Sequence, residues 1–235
     1  MTTSTLPQSK GEPLKDDRFS GGLRTGAQYL DALRNDGRRV FVDGEEVSDV
    51  TTHPAFAEAA RTIAGLFDIA SDPANRDLMT YQSPISGAPV NRIWQMPDSV
   101  EALQQRRGAI ARWSEESLGY MGRTPDHVAG FFTGFAAAPQ VLARDGNERF
   151  AENALRIYEF LRDNDVYITY TIVPPQIDRS KPAHQQDPPD LYCGVVEERD
   201  EEFQQALLIS IQSIIECGYR FVEMGAKNRH ARLDN

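Results

Sequence analysis

Cysteine, clusters of basic residues and long apolar runs are all scarce in this chain of 235 residues. The two cysteines, Cys193 and Cys217, have neither the number nor the spacing of a disulfide framework or a metal site. The net charge is −10 and no Lys/Arg cluster occurs, which argues against nucleic acid as a partner. The longest apolar-rich run, residues 206–215, is too short to cross a bilayer, and the N-terminus lacks an apolar signal segment. We therefore expect a soluble, cytoplasmic protein that binds neither a metal nor a membrane.

One stretch of the chain combines a cation with a helix start. Arg123 directly precedes Thr124-Pro125, where the threonine hydroxyl can cap a helix and the proline suits its first position. The guanidinium is thereby placed beside free N–H groups at the positive end of the helix, which favours an anion or a phenolate. His127 lies one turn along the same helix and can approach the same space. The alternative is a helix start that binds nothing, with a solvated arginine before it.

Several local signals predict secondary structure in the first half of the chain. Thr25 and Gln28 have the spacing of a capping box at the start of a short helix. Asp43-Gly44 is a strong turn pair between valine-rich segments, which predicts a hairpin. Residues 52–54 are expected to open the next helix, and residues 82–89 to form a loop. His53 could be a ligand, but we favour a residue that helps to cap the helix or lies in solvent.

Helical spacing of apolar residues predicts three further helices. They begin near Ser99, Pro125 and Asn147, and the last ends at Asn164-Asp165. Trp94 is also expected in the core. The buried side of the helix after Ser99 is predicted to consist of Val100, Leu103, Ile110 and Trp113.

The pattern changes after residue 165. Residues 166–173 are β-branched and aromatic, which is typical of a strand, and residues 191–197 form a second candidate strand. Residues 201–217 have the pattern of an amphipathic helix. We therefore expect an α+β chain that is mainly α. Its parts would be a mobile arm (residues 1–23), a helical domain (24–165), a partial β domain (166–200) and a C-terminal helix and tail (201–235).

Six separate motifs, in order along the chain, resemble the flavin-dependent 4-hydroxyphenylacetate 3-monooxygenase family, the large component of two-component phenol hydroxylases. They lie at residues 24–30, 49–56, 121–127, 164–165, 177–179 and 194–197. The resemblance implies an N-terminal helical domain like that of the acyl-CoA dehydrogenases, followed here by a truncated β segment and a terminal helix. A second branch of the superfamily uses an iron–sulfur cluster, but this chain has no cysteine before Cys193 to ligate one.

The resemblance also implies a reaction and a set of roles. The family inserts one oxygen atom of O₂ beside a phenolic hydroxyl, using FADH₂ supplied by a separate reductase, and converts a phenol such as 4-hydroxyphenylacetate to a catechol. Arg123 matches the arginine that binds and ionises the phenol, because a fixed cation favours the phenolate. His127 and Tyr170 match two positions that assist it, where the family usually has tyrosine and histidine respectively.

The two residue types are thus exchanged in this chain. The exchange could keep one imidazole and one phenol around the substrate, or it could reflect another substrate or the loss of catalytic constraint. Residues after Asp200 depart from the family, which continues with further strands and a helical bundle. The competing hypothesis is a truncated relative without turnover that acts only as an oligomerising or binding module. Under either hypothesis we expect a homo-oligomer, because a partial sheet leaves unpaired strand edges.

Overall fold

The computed structural model describes residues 6–16, 19–121, 124–143, 148–168 and 180. These residues are mainly helical, as predicted. They fall into two compact units. The first contains Lys15–Gly134 and Glu159–Tyr167, and the second contains Pro7–Leu14 and Phe135–Tyr158.

Six α-helices and four short strands make up the regular structure of the described residues, together with short 3₁₀ turns. The helices are α1 (Gly26–Arg34), α2 (Ala57–Ser71), α3 (Arg76–Met79), α4 (Val100–Glu116), α5 (Asp126–Ala137) and α6 (Glu148–Asp163). The strands are β1 (Val40–Val42), β2 (Glu45–Val47), β3 (Thr80–Gln82) and β4 (Pro89–Asn91).

The capping box predicted at the start of α1 is confirmed. The Thr25 hydroxyl accepts a hydrogen bond from the Gln28 main-chain N–H at 3.2 Å, and the Gln28 side chain accepts one from the Thr25 N–H at 2.8 Å. The carboxylate of Asp68 on α2 accepts a hydrogen bond from the Gly26 N–H at 2.7 Å. The first turn of α1 is therefore bound directly to α2.

The predicted hairpin around Asp43-Gly44 is also confirmed. Strands β1 and β2 pair antiparallel, and Asp43 and Gly44 both have positive φ, at 52° and 86°. Two left-handed residues suit the twist of a tight hairpin. Strands β3 and β4 form another antiparallel pair on either side of the predicted loop, which the sequence pattern did not indicate.

Helix α2 begins at Ala57, later than the predicted opening at residues 52–54. His53 contributes to the approach to α2. Its Nδ1 accepts a hydrogen bond from the Ala55 N–H at 3.2 Å, and its carbonyl oxygen accepts one from the Ala57 N–H at 2.8 Å. His53 therefore orders the turn before α2 but does not cap the helix, because the N-cap residue is Phe56 and no side chain makes a capping hydrogen bond there.

The predicted buried face of α4 was wrong in its first turn. Val100 and Leu103 are 65% and 54% exposed, whereas Ala102, Ala109 and Trp113 are buried. The small alanine side chains allow close approach to the core, while the larger apolar residues of the first turn face outward. Hydrophobicity alone therefore chose the wrong residues there, although Trp113 was predicted correctly.

The second unit is built on α6. Phe150 and Ala154 pack with Leu142 in a small core to which Phe135 adds its ring. The N-terminal segment is bound to the same helix, because Glu152 accepts hydrogen bonds from the N–H groups of Lys10 and Gly11 at 2.8 and 2.6 Å. Part of the segment that we expected to be mobile is therefore held against α6.

The predicted strands at 166–173 and 191–197 and the helix at 201–217 lie wholly or mostly outside the described residues, and the four-part domain division stays a prediction. Within the part of the chain that the structure describes, no helix is long and apolar enough to cross a membrane.

Candidate active site

Helix α5 begins at the motif that the sequence singled out. The Thr124 carbonyl accepts a hydrogen bond from the His127 N–H at 3.0 Å, and the Pro125 carbonyl accepts one from the Ala129 N–H at 3.2 Å. The Thr124 hydroxyl donates to the Asp126 carboxylate. Arg123 itself lies outside the described residues. Helix α5, which follows Arg123 in the sequence, is described, and its N-terminal end is the end nearer to Arg123 in the sequence.

His127 is half-buried on the first turn of α5. Its ring contacts the ring of Phe131 edge-on, with the centroids 5.1 Å apart and an angle of 67° between the planes. Phe131 lies one turn further along α5 and is 38% exposed. The imidazole is therefore held by an aromatic neighbour on its own helix while part of it remains accessible.

A small cavity lies directly beside Pro125. Its volume is about 10 Å³, which is close to the minimum for a single water molecule. Most of its wall is apolar, and Asp165 contributes a carboxylate. The lining residues are Leu66, Phe67, Asn91, Ile93, Trp113, Pro125, Asp165, Val166 and Tyr167. Four separate parts of the first unit therefore meet at the start of α5.

Asp165 is the buried charge of this cavity, with 3% of its surface exposed. Its carboxylate accepts hydrogen bonds from the Arg24 main-chain N–H and from the Asn91 side-chain amide, both at 3.3 Å. Its carbonyl oxygen accepts a third from the Arg24 guanidinium Nε at 3.1 Å. Asp165 thus binds the segment before α1 and the end of β4 to the chain that leaves α6.

Burial raises the pKa of Asp165 to about 6, because the charged carboxylate is removed from water. The hydrogen bond from the Arg24 N–H, the charge of Arg24 and the Asn91 amide all act in the opposite direction and favour the ionised form. Desolvation is the largest of these effects. The carboxyl group therefore changes its protonation state within the weakly acidic range.

Arg24 is surrounded by aromatic rings. The centre of its guanidinium lies 4.9 Å from the ring centroid of Phe67, 5.5 Å from that of Phe19 and 6.0 Å from that of Tyr29. Such contacts favour the cation through the negative faces of the rings. Burial nevertheless lowers the pKa of Arg24, with Asp165 opposing that effect.

Asp165 also has a left-handed backbone, with a φ of +46°. The chain leaves α6 at this residue, and the Val166 N–H donates back to the Leu161 carbonyl at 3.0 Å. Aspartate tolerates this conformation better than most residues. The turn places Val166 and Tyr167 in the cavity wall.

Tyr167 completes the aromatic surroundings of the cavity. Its ring meets that of Tyr29 edge-on, with centroids 6.0 Å apart, and Tyr29 stacks on Phe67 at 4.9 Å. Burial raises the pKa of Tyr167 and that of Tyr29, the latter to about 12. Both phenols therefore remain protonated at neutral pH.

Of the three predicted site residues, His127 alone lies within the described residues, and Arg123 and Tyr170 lie outside them. Asp165, Asn91 and Tyr167 were missed as site residues. Arg24 and Asp165 both belong to motifs that carry the family resemblance. Their presence in these motifs could have marked them as candidate site residues. No pattern in the sequence pointed to Asn91. Among the described residues, no cluster of three or more His, Cys, Asp or Glu side chains is arranged to hold a metal.

The family model described as "4-hydroxyphenylacetate 3-hydroxylase N terminal" matches residues 25–201. This chain belongs to the 4-hydroxyphenylacetate 3-hydroxylase family. The matched range contains Arg123, His127, Asp165 and Tyr170, and it begins one residue after Arg24. The matched range therefore covers the start of α5 and all the residues that line the cavity.

Two curated relatives illustrate the similarity. The 4-hydroxyphenylacetate 3-monooxygenase oxygenase component of Geobacillus sp. (strain PA-9) is 35% identical over 178 residues, which are 76% of this chain and 35% of that protein. The oxygenase component of 4-nitrophenol 2-monooxygenase from Rhodococcus sp. is 34% identical over 219 residues, which are 93% of this chain and 39% of that protein.

A solved structure of the same family has a similar fold. It is the oxygenase component of 4-hydroxyphenylacetate 3-monooxygenase, in complex with FAD and 4-hydroxyphenylacetate. The TM-score is 0.64 at 34% identity, and the match covers 75% of this chain and 36% of that one. The chain thus spans little more than a third of the length of the relatives that it matches.

Proposed function

We propose that this chain binds a phenol and takes part in its FADH₂- and O₂-dependent ortho-hydroxylation to a catechol. The observation that carries the proposal is the match of residues 25–201 to the family, joined to the similarity with a relative that binds FAD and 4-hydroxyphenylacetate. A phenol with a para substituent is the substrate class, because the two relatives compared above are named for 4-hydroxyphenylacetate and 4-nitrophenol.

The start of α5 supports a role for Arg123 in binding the phenol oxygen. Thr124 and Pro125 precede the helix as the motif requires, and the N-terminal end of a helix carries partial positive charge. A guanidinium next to this end would add a full charge. Both would lower the pKa of a bound phenol and favour the phenolate, which is the form that is hydroxylated more readily.

His127 and Tyr170 are proposed as hydrogen-bonding partners of the same phenol. His127 lies on the first turn of α5, half-buried against Phe131, and so its ring has a defined place near the helix start. Its imidazole can donate to the phenol oxygen or accept its proton. Tyr170 comes three residues after Tyr167, which lines the cavity, in the sequence.

The cavity beside Pro125 has room for about one water molecule. Neither FAD nor a phenol fits inside it, and so the phenol is proposed to bind at the accessible face of the α5 start, with the cavity behind it. Reduced FAD, supplied by a separate reductase, would activate O₂. No described residue is assigned to bind FAD, and the proposal gives this chain only the phenol-binding part of the reaction.

A single assay tests the proposal. The purified chain is supplied with FAD, a flavin reductase, NADH and O₂, and catechol formation from 4-hydroxyphenylacetate and 4-nitrophenol is measured by chromatography. We expect a catechol product, and we expect Arg123→Ala to raise KM and lower hydroxylation together. Arg107→Ala is the matched control, because Arg107 is exposed on α4. A fully active Arg123→Ala variant would remove the proposed role of the arginine.

The alternative function is a family member without turnover that binds or oligomerises only. A flavin titration and light scattering distinguish the two hypotheses. Tight FADH₂ binding with catechol formation supports the hydroxylase. Oligomers that neither bind flavin nor form a catechol support the alternative.

A further inference from the structure

We propose that Asp165 is a positioning residue that fixes the cavity wall behind the phenol site by binding both Arg24 and Asn91. This inference rests on the proposed function for its catalytic consequence, but its structural part can be tested without it. Asp165 lies outside the set of residues predicted to touch the phenol.

The first argument is the way the carboxylate is bound. Its two oxygens accept from the Arg24 N–H and the Asn91 amide, and these donors come from sites 141 and 74 residues away in the sequence. A third bond, from Arg24 Nε to the Asp165 carbonyl, joins the same two residues again. One buried side chain therefore holds three distant segments in one arrangement.

The second argument is the conformation of the backbone. Asp165 has a φ of +46° at the end of α6, and the chain direction after it depends on this turn. Val166 and Tyr167, which come next, line the cavity together with Pro125 at the start of α5. Release of the carboxylate would allow the turn to change, and the wall next to Pro125 would move with it.

The third argument is the setting of the charge. The wall around Asp165 is provided by apolar side chains from several elements, among them Leu66 and Phe67 of α2 and Trp113 of α4. A buried carboxylate is costly in such surroundings unless hydrogen bonds compensate for the lost water. The Arg24 N–H and the Asn91 amide supply these bonds, so the carboxylate is held in one arrangement beside the candidate phenol site.

The arrangement of hydrogen-bond donors and acceptors around Asp165 suggests a direct test by mutation. In Asp165→Asn, the new side chain has one oxygen that accepts and one NH₂ group that only donates. If its oxygen accepts from the Arg24 N–H, its NH₂ group faces the NH₂ group of Asn91, and two donors then meet. In the double variant Asn91→Asp/Asp165→Asn, the new amide can donate to the new carboxylate and its oxygen can still accept from the Arg24 N–H. In the unaltered chain, Asn91 Oδ1 accepts a hydrogen bond from the Ile93 N–H at 3.3 Å. The new carboxylate at position 91 can accept this bond as well. Asparagine tolerates the left-handed backbone as well as aspartate does.

The expected result has two readouts in the full chain. Asp165→Asn should lower kcat/KM by about 10- to 100-fold per mole of folded protein, because a displacement of about 1 Å costs that much. It should also change the near-UV circular dichroism, to which Trp113 and Tyr167 contribute. The exchange of the two residues should restore most of both signals. Asp98→Asn is the control, because it makes the same change of side chain at an exposed carboxylate before α4.

Each outcome decides the inference. Unchanged kcat/KM and an unchanged spectrum in folded Asp165→Asn would overturn it, as would an exchange variant that folds but restores neither signal. A loss of activity that only follows the loss of folded protein, with normal turnover in the folded fraction, would make the role merely structural and also overturn it. If the unaltered chain shows no hydroxylation, the proposed function fails, and the spectrum alone then decides whether Asp165 positions the wall.

Discussion

Arg24 and Asp165 are 141 residues apart in the sequence and are joined by two hydrogen bonds in the structure. The main-chain N–H of Arg24 donates to the Asp165 carboxylate at 3.3 Å, and the Arg24 Nε donates to the Asp165 carbonyl at 3.1 Å. The guanidinium therefore does not face the carboxylate in a two-pronged ion pair. The carboxylate depends instead on neutral donors, and burial dominates its protonation.

The first prediction concerns the pH dependence of stability. The pKa of Asp165 is about 6 in the folded state against an ordinary value of 3.8. Because the folded pKa is the higher one, the contribution of the protonated group is fully present below about pH 4 and is lost as the pH rises through 6. The loss is about 3 kcal/mol of the free energy of unfolding.

Urea unfolding of the unaltered chain and of Asp165→Asn between pH 4 and pH 7 isolates this effect, since other carboxylates titrate equally in both. Arg24, whose charge acts on Asp165, and the nearby phenols Tyr29 and Tyr167 all keep their charge states across this range. A difference between the two proteins that does not change with pH would contradict the prediction.

The second prediction concerns the contact of α1 with α2. A Cβ at Gly26 would meet the Ala64 carbonyl group and would lie 2.6 Å from the Asp68 carboxylate. Gly26→Ala should therefore destabilise the fold by about 1–3 kcal/mol, because α1 must move away from α2. Chemical denaturation measures the change.

Gly65→Ala is the matched control on α2. A Cβ at that position meets nothing within 4 Å, and alanine should stabilise the helix by about 0.5–1 kcal/mol through its higher helix propensity. Equal effects of the two substitutions would show that helix propensity, and not the close approach at Gly26, decides the outcome.

Local chemistry explains which parts of this fold could be predicted. The capping box of Thr25 and Gln28 and the turn at Asp43-Gly44 each depend on residues within four positions of one another, and both are present. The outward face of α4 could not be predicted in the same way. Whether Val100 or Ala102 is buried depends on which neighbours α4 meets, and its own sequence does not contain that information.

In the candidate site too, features set by adjacent residues could be predicted, and features set by distant residues could not. The helix start at Thr124-Pro125 and the place of His127 on its first turn follow from adjacent residues. The bonds of Asp165 depend on Arg24 and Asn91, which only the tertiary fold brings near it. A motif containing Asp165 was recognised, but its partners and its burial required the structure.

The third prediction concerns Arg92, which is buried and bonded through all three of its side-chain nitrogens. Nε donates to the Leu78 carbonyl at 2.8 Å, Nη1 to the side chains of Gln95 and Gln105 at 3.0 Å, and Nη2 to the Asp77 carbonyl at 2.9 Å. Arg92→Lys should cost about 2–3 kcal/mol, because a single ammonium group cannot reach these acceptors together.

The control for Arg92→Lys is Arg39→Lys on the surface of the β1–β2 hairpin. Arg39 forms an exposed ion pair with Glu46 at 2.8 Å, and replacing it should leave the free energy of unfolding nearly unchanged. Thermal unfolding of both variants gives the comparison. A stable Arg92→Lys protein would mean that the buried carbonyl groups find other donors.

The last prediction concerns the exchanged residue types at positions 127 and 170. If the exchange keeps one imidazole and one phenol on the substrate, His127→Tyr and Tyr170→His should each lower kcat/KM by about 10- to 100-fold, the worth of one hydrogen bond to a charged group. The double exchange, which recreates the arrangement usual in the family, should then recover most of the loss. Residues that share a ligand give such non-additive effects, whereas independent residues give additive ones.

Steady-state hydroxylation of 4-hydroxyphenylacetate by the four proteins measures the coupling, with flavin binding checked in each. Losses that simply add in the double variant would separate the two positions and leave His127 with its contact to Phe131 as its main role.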